Sequence, residues 1–223
     1  MKKPVTYLGE AFFHATMLFS ISVFLWIALT PAKYFVWNEI LKVFQNKGEQ
    51  RAKAKYNELL TQNGLTRDKY SPSIIVRKKS RELTVYSNSV PIITYSIGLG
   101  RSPSGKKQDK FDQKTPEGQY YICRKDLDHT YHMFLQINYP SSDDASRATI
   151  NHVISTSEEI RINQAEQNGD PPPANTNLGG NVGIHGFGAE CCWTKDGSVS
   201  MHNSDIEELF WNIEKGCPIT FLP

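Results

Sequence analysis

Two neighbouring stretches decide how this chain is read. One is Gly179-Gly180-Asn181-Val182-Gly183-Ile184-His185-Gly186. The other, after a short spacer, is Trp193-Thr194-Lys195-Asp196-Gly197-Ser198-Val199-Ser200-Met201-His202-Asn203. Alone, His185 reads as a surface or core histidine. An imidazole between a strand-like run and a glycine is also well placed to face a cleft. The second stretch favours the cleft: a tight turn ends at a small hydroxyl side chain just before a strand and a helix. Successive backbone N–H groups in such a turn make a concave anion site, and they suit the oxyanion of acyl transfer.

Outward from that pair, composition narrows the class. The chain has 223 residues with a formal net charge of +2. A balance that even argues against nucleic acid as a partner bound by bulk electrostatics. The 25 aromatic residues exclude a chain disordered throughout, because they require a core. Charge is unevenly spread: 22 residues between Glu10 and Lys33 carry no formal charge, and most from Ala11 through Leu29 are apolar. About 20 such residues span a bilayer as a helix. Lys2 and Lys3 precede the run, which is long for a cleaved signal, so 1–33 is expected to be an uncleaved signal anchor. Lys33, Lys42, Lys47 and Arg51 follow it, so the charge rule does not itself place the remainder outside.

Residues 34–72 read as a helical stalk and linker. Ile40, Leu41, Val43 and Phe44 fall on one helical face, and Asn63-Gly64 is a stop signal. From 73 to 223 the pattern is that of one mainly β (β-rich α+β) domain. Ile74–Val76, Leu83–Tyr86 and Val90–Tyr95 are expected as strands, with a turn at Ser87-Asn88-Ser89. Further strands are expected at Gln119–Cys123, His132–Ile137 and Ile219–Leu222. Gly98-Leu99-Gly100 lacks the full dinucleotide fingerprint and is given no weight as a nucleotide site. Residues 141–178 form a long polar insertion, partly helical near Asp143–Arg161 and otherwise a loop of the kind that serves as a lid. Ser204 with Glu207 reads as a capping box opening a last helix.

In order and spacing, several pieces resemble the L,D-transpeptidase catalytic domain, the YkuD-like family, over about two thirds of the chain. They are Ile75-Val76 with Leu83-Thr84-Val85-Tyr86, Tyr95-Ser96-Ile97-Gly98, and Lys114-Thr115-Pro116-Glu117-Gly118. Leu135-Gln136-Ile137-Asn138-Tyr139-Pro140 and Gly179-Gly180 with Ile184-His185-Gly186 follow. Trp193-Thr194 with Gly197-Ser198-Val199, Met201 and Asn203, and then Gly216-Cys217-Pro218-Ile219, complete the set. The resemblance implies a β-sandwich or barrel with short helices, membrane-anchored in the cell envelope with the domain in the periplasm. It implies peptidoglycan stem peptides as substrate and no cofactor or metal. In this family a cysteine attacks the stem tetrapeptide, terminal D-alanine leaves, and an amine or water resolves the acyl-enzyme. Carried over, His185 is the general base and Asp196, Gly197 and Ser198 hold the oxyanion turn. Gly186, Trp193, Thr194 and Asn203 are motif or substrate residues.

The chain departs from that pattern at the nucleophile. Ser198 stands where the family has cysteine, Asp196 where a histidine is usual, and Ser200 where an arginine is common. A serine lacks an accessible anion and needs a well-oriented base, often steadied by a carboxylate; Asp196 and Glu190 are candidates. Three readings stay open: Ser198 is a retuned nucleophile; the chain is an inactive relative that binds peptidoglycan or serves as a scaffold; or chemistry runs elsewhere, through Cys191 or Cys192 or a cysteine since exchanged for serine. Cys191 or Cys192 could instead pair with Cys123 or Cys217 in an oxidising compartment. Ordinary thiols are the plain alternative. His129 and His132 do not match a known zinc signature. His202 is a candidate helix cap, and Glu207 and Glu208 are expected on an exposed helix face. Tyr120, Tyr121, Tyr139 and Trp193 either line a groove or are buried.

Overall fold

The computed structural model describes residues 16–23, 25, 32–189, 194 and 196–223. The expected spanning run over 11–29 lies largely outside these residues. Within it, residues 16–23 are helical and exposed, and among the described residues no helix is long and apolar enough to cross a membrane. Two compact units are distinguished, residues 1–48 and 49–223.

The second unit is built on an eight-stranded mixed sheet. Its strands are β1 (Pro72–Arg77), β2 (Glu82–Ser87), β3 (Val90–Ser96), β4 (Gly118–His129), β5 (His132–Ile137), β6 (Gly183–His185), β7 (Val199–Ser200) and β8 (Pro218–Leu222). The spatial order is β3-β2-β1-β8-β4-β5-β6-β7. Pairings are antiparallel except β1 with β8 and β6 with β7. The β2–β3 turn occurs where expected, because Asn88 and Ser89 both tolerate the positive φ (49° and 68°) that a two-residue hairpin turn demands. β4 exceeds its expected length. Its first residues pair with β8 and its later ones with β5, with register shifts at Ile122/Arg124 and Asp126/His129. These bulges bend the strand so that one ribbon serves both halves of the sheet. The expected β-rich α+β domain is thus built on one mixed eight-stranded sheet with several helices.

Inward-facing residues make one core, including Ile74, Val76, Leu83, Val85, Ile122, Leu135, Ile137, Ile184, Val199, Ile206, Leu209 and Phe221. Helix α1 (Ala32–Gln62) enters this unit at its C-terminal half. Ala52, Tyr56 and Leu60, one turn apart, are buried, the last two with Ile92 on β3. Asn212 Nδ2 donates to the Ala52 carbonyl at 3.3 Å, and Lys55 pairs with Glu208.

The 141–178 insertion is more ordered than expected. It forms two helices, α2 (Ser142–Ile150) and α3 (Thr156–Asn168). Each opens on a complete capping box, Ser141 with Asp144 and Ser155 with Glu158. Ala145, Ala148, Ile154, Ile162 and Leu178 give it a small core of its own.

Helix α4 (Asn203–Asn212) begins one residue before the expected cap. His202 holds the N-cap position, and no side chain caps the helix there. The Ser204–Glu207 capping box is therefore not formed: Ser204 Oγ donates to Asp205 Oδ1 at 3.2 Å, and Glu207 Oε1 lies 2.8 Å from His132 Nε2. Glu207 and Glu208 do not form a free acidic face either. Glu208 is largely covered and engages Lys55 and Tyr95.

Cys123 and Cys217 are buried free thiols. Burial pushes Cys123 up to about 11 and Cys217 up to about 12, where thiolate is scarce at neutral pH. Cys191 and Cys192 lie outside the described residues, as do Glu190 and Trp193.

A cleft around two strand ends

β6 and β7 lie parallel at the edge of the sheet, with Ile184 opposite Val199 and His185 opposite Ser200. Side chains at alternate positions share a face. This brings His185, Ser198 and Ser200 to one cleft, of about 320 Å³, lined also by His129, Tyr131, Phe134, Asn181, Phe187, Thr194 and Asp196. None of the lining residues comes from 141–178.

Glycines let three backbones meet beneath this cleft. Gly98 exchanges hydrogen bonds with Ser200 (2.8 and 3.0 Å), and the Thr194 N–H donates to the Leu99 carbonyl at 3.3 Å. A Cβ on Gly100 would stand 2.2 Å from the Gln113 carbonyl oxygen. On Gly197, whose φ is +87°, it would stand 2.0 Å from that of Lys114. The glycine-rich segment 98–105 is thus a structural underlay for the Asp196-Gly197-Ser198 turn. The N–H groups of those three turn residues find no acceptor among the described residues.

His185 is nearly buried, at 9% exposure. Its Nδ1 lies 2.7 Å from the Gly186 carbonyl oxygen. A carbonyl can only accept, so Nδ1 carries the proton and Nε2 keeps its lone pair. That carbonyl fills the place where Asp196 or Glu190 was expected to orient the ring. Burial lowers the imidazole below its ordinary value, the Gly186 contact opposes the shift, and nearby His129 adds to it. The ring is therefore neutral at pH 7. Tyr131 lies over it with centroids 5.0 Å apart.

Ser198 is buried, and its Oγ accepts a hydrogen bond from the Gly183 N–H at 3.3 Å. No hydrogen bond joins it to His185 among the described residues. Thr194 Oγ1 donates to the Ser198 carbonyl at 2.6 Å and pins the turn. Asn203 Oδ1 accepts from the Phe187 N–H at 2.9 Å, holding the backbone that follows His185-Gly186. A Cβ on Gly186 would approach that same Oδ1 to 2.5 Å, which explains the glycine.

Sequence reading missed several lining residues. His129 stacks on Phe134 at 4.4 Å and accepts a hydrogen bond from the Tyr131 N–H on Nδ1. Its proton therefore resides on Nε2. With the β4–β5 hairpin, it reaches the cleft only through tertiary folding. Ser200 was legible in principle, because it lies two residues beyond Ser198 on one strand face. Tyr120 and Tyr139 do not reach this cleft: both are buried, donating to Asp144 Oδ2 and the Leu178 carbonyl. Tyr121 bonds the Glu166 carbonyl instead. Among the described residues no group of three or more His, Cys, Asp or Glu side chains is placed to hold a metal ion.

Comparison with known proteins fits this arrangement. The family model for the L,D-transpeptidase catalytic domain, YkuD, matches residues 71–220. No curated protein matches significantly. Among solved structures, the helical cell shape determining protein Pgp2 from Campylobacter jejuni is 18% identical, with a TM-score of 0.48, over 69% of this chain and 48% of that one. Bdellovibrio bacteriovorus Bd1075 is 20% identical, with a TM-score of 0.45, over 70% and 49%. An Enterococcus faecium L,D-transpeptidase is 16% identical, with a TM-score of 0.39, over 68% and 50%. The chain thus covers about half the length of these structures.

Proposed function

From the premise that the chain belongs to the L,D-transpeptidase catalytic domain family, we propose that it is a cell-envelope protein acting on peptidoglycan stem peptides by acyl transfer or hydrolysis. In this reading 1–33 anchors it in the inner membrane, 34–72 is a stalk, and 73–223 is the working domain in the periplasm. The observation that carries it is the His185 ring: its Nδ1 is committed to the Gly186 carbonyl, leaving a basic Nε2 in the cleft that holds Ser198.

The chemistry follows from that tautomer. The Ser198 hydroxyl attacks the stem-peptide carbonyl while its proton passes to His185 Nε2. The developing oxyanion meets the N–H groups of Asp196, Gly197 and Ser198, which find no acceptor among the described residues. The imidazolium returns the proton to the leaving D-alanine amine as the C–N bond breaks. An acceptor amine or water then attacks the ester, and Ser198 regains its proton. Thr194 and Asn203 hold the two backbones that carry Ser198 and His185. Gly186 gives the space this requires, and Trp193 is a substrate contact. The site as read needs no metal or cofactor.

One observation favours a second reading, an inactive relative that binds peptidoglycan or serves as a scaffold. Ser198 Oγ is held by the Gly183 N–H rather than by His185. Incubation with muropeptide tetrapeptides, followed by mass spectrometry, separates the two. Loss of D-alanine release in both Ser198→Ala and His185→Ala supports the serine enzyme. Release gained only in Ser198→Cys supports an intact cleft without a competent nucleophile. Binding without product in every variant supports the scaffold.

A further inference from the structure

Ser200 lies at 1% exposure on the floor of the cleft, and its Oγ has no hydrogen-bond partner among the described residues. Among its neighbours, Ser198 Oγ accepts from the Gly183 N–H, Thr194 Oγ1 donates to the Ser198 carbonyl and His185 Nδ1 donates to the Gly186 carbonyl, and none of the three bonds Ser200. Buried polar groups in folded proteins are nearly always paired, so an orphan on the wall of a cleft needs a reason. We propose that Ser200 is a ligand-binding residue whose hydroxyl is satisfied by an uncharged acceptor of the bound substrate, a peptide carbonyl oxygen.

The lining chemistry supports that class. Among the described residues no lysine or arginine lines the cleft and its carboxylate is that of Asp196, so no described side chain offers a counter-charge to an anion. His129 adds a second neutral donor, because its Nδ1 is occupied by the Tyr131 N–H and its Nε2–H finds no acceptor among the described residues. Two uncharged donors on the walls suit an extended peptide, whose carbonyls recur along its length. The β6–β7 register sets Ser200 opposite His185. A carbonyl held by Ser200 therefore fixes the peptide beside the base.

This inference rests on reading the cleft as a stem-peptide site, and its test keeps the two apart. The full chain and its Ser200→Ala variant are titrated with the stem tetrapeptide by calorimetry, and both are melted without ligand. Ser200→Ala should weaken tetrapeptide binding about tenfold, the loss expected for one hydrogen bond. The same variant should melt at or above wild type, by up to roughly 2–4 °C, because it removes a stranded buried hydroxyl. A hydroxyl with a purely structural role would do the reverse, lowering the melting temperature. Saturable wild-type binding that Ser200→Ala leaves unchanged overturns the role of Ser200 and leaves the peptide site standing. No saturable binding by wild type overturns both.

Discussion

Replacing Gly197 by alanine should loosen the turn under Ser198 far more than one methyl group suggests. Gly197 has φ of +87°, and an added Cβ would stand 2.0 Å from the Lys114 carbonyl oxygen and 2.9 Å from its carbon. The left-handed backbone costs about 1–2 kcal/mol for an L-residue, and forcing atoms into a filled space costs about 1–3 more. A total of about 3 kcal/mol is expected, since the offending neighbour is backbone and has little freedom to retreat. In a unit of this size that lowers the melting temperature by roughly 6–12 °C. Gly64→Ala is the matched comparison: Gly64 has φ of +70° and nothing within 4 Å of an added Cβ. It should lose only the backbone term of about 1–2 kcal/mol, roughly 2–8 °C. Thermal melts followed by circular dichroism read both. Equal shifts in the two variants would refute the claim that the 113–115 backbone clamps the Asp196-Gly197-Ser198 turn.

Two further outcomes follow from the site and its flanks. Ser155→Ala should cost about 1 kcal/mol, because it destroys a complete capping box, whereas Ser204→Ala should stay within about 0.5 kcal/mol because Ser204 caps nothing; urea melts compare them. Burial holds the folded-state pKa of His185 below its unfolded value, so the unfolded chain binds the extra proton first. Stability should therefore be full above pH 6.5 and fall as the pH drops below it. His185→Gln should flatten that slope in melts recorded between pH 7.5 and 5.5, and an unchanged slope would deny the ring its buried, neutral state.

Much of the sheet was legible in local sequence. Alternation in Leu83–Tyr86, the Asn88-Ser89 turn and the following Val90–Tyr95 run specify a hairpin without help from the rest of the chain. The stop at Asn63-Gly64 and the final strand were legible for the same reason. The structure places His185 and Ser198 in one cleft, where the glycines beside them constrain the backbone. What stayed hidden depends on distant partners. Gly98-Leu99-Gly100 has no meaning until Ser200 and Thr194 pair with it. His129 gains its place through two bulges in β4 that no periodicity records. Ser204 fits a capping pattern, yet the helix starts a residue early, and Glu207 turns to His132 on another strand. In the insertion, a helical part near Asp143–Arg161 was expected with loop elsewhere, and two capping boxes with five small or aliphatic side chains give a helical pair that runs on to Asn168.

The position of β8 has a consequence for timing. It lies between β1 and β4, pairing Ile74 with Ile219 on one side and Tyr120 with Ile219 on the other. It is also the last of the eight strands to be synthesised. Until it arrives, the ribbon of β3, β2 and β1 and the ribbon of β4, β5, β6 and β7 each present an open edge where their neighbour should be. Closing the sheet joins segments far apart along the chain, a slow event by the usual relation of contact separation to rate. The His185 cleft belongs to one ribbon while its Gly98-Leu99-Gly100 underlay follows the other, so the cleft gains its underside once the two ribbons, joined in the sheet by β8, have come together.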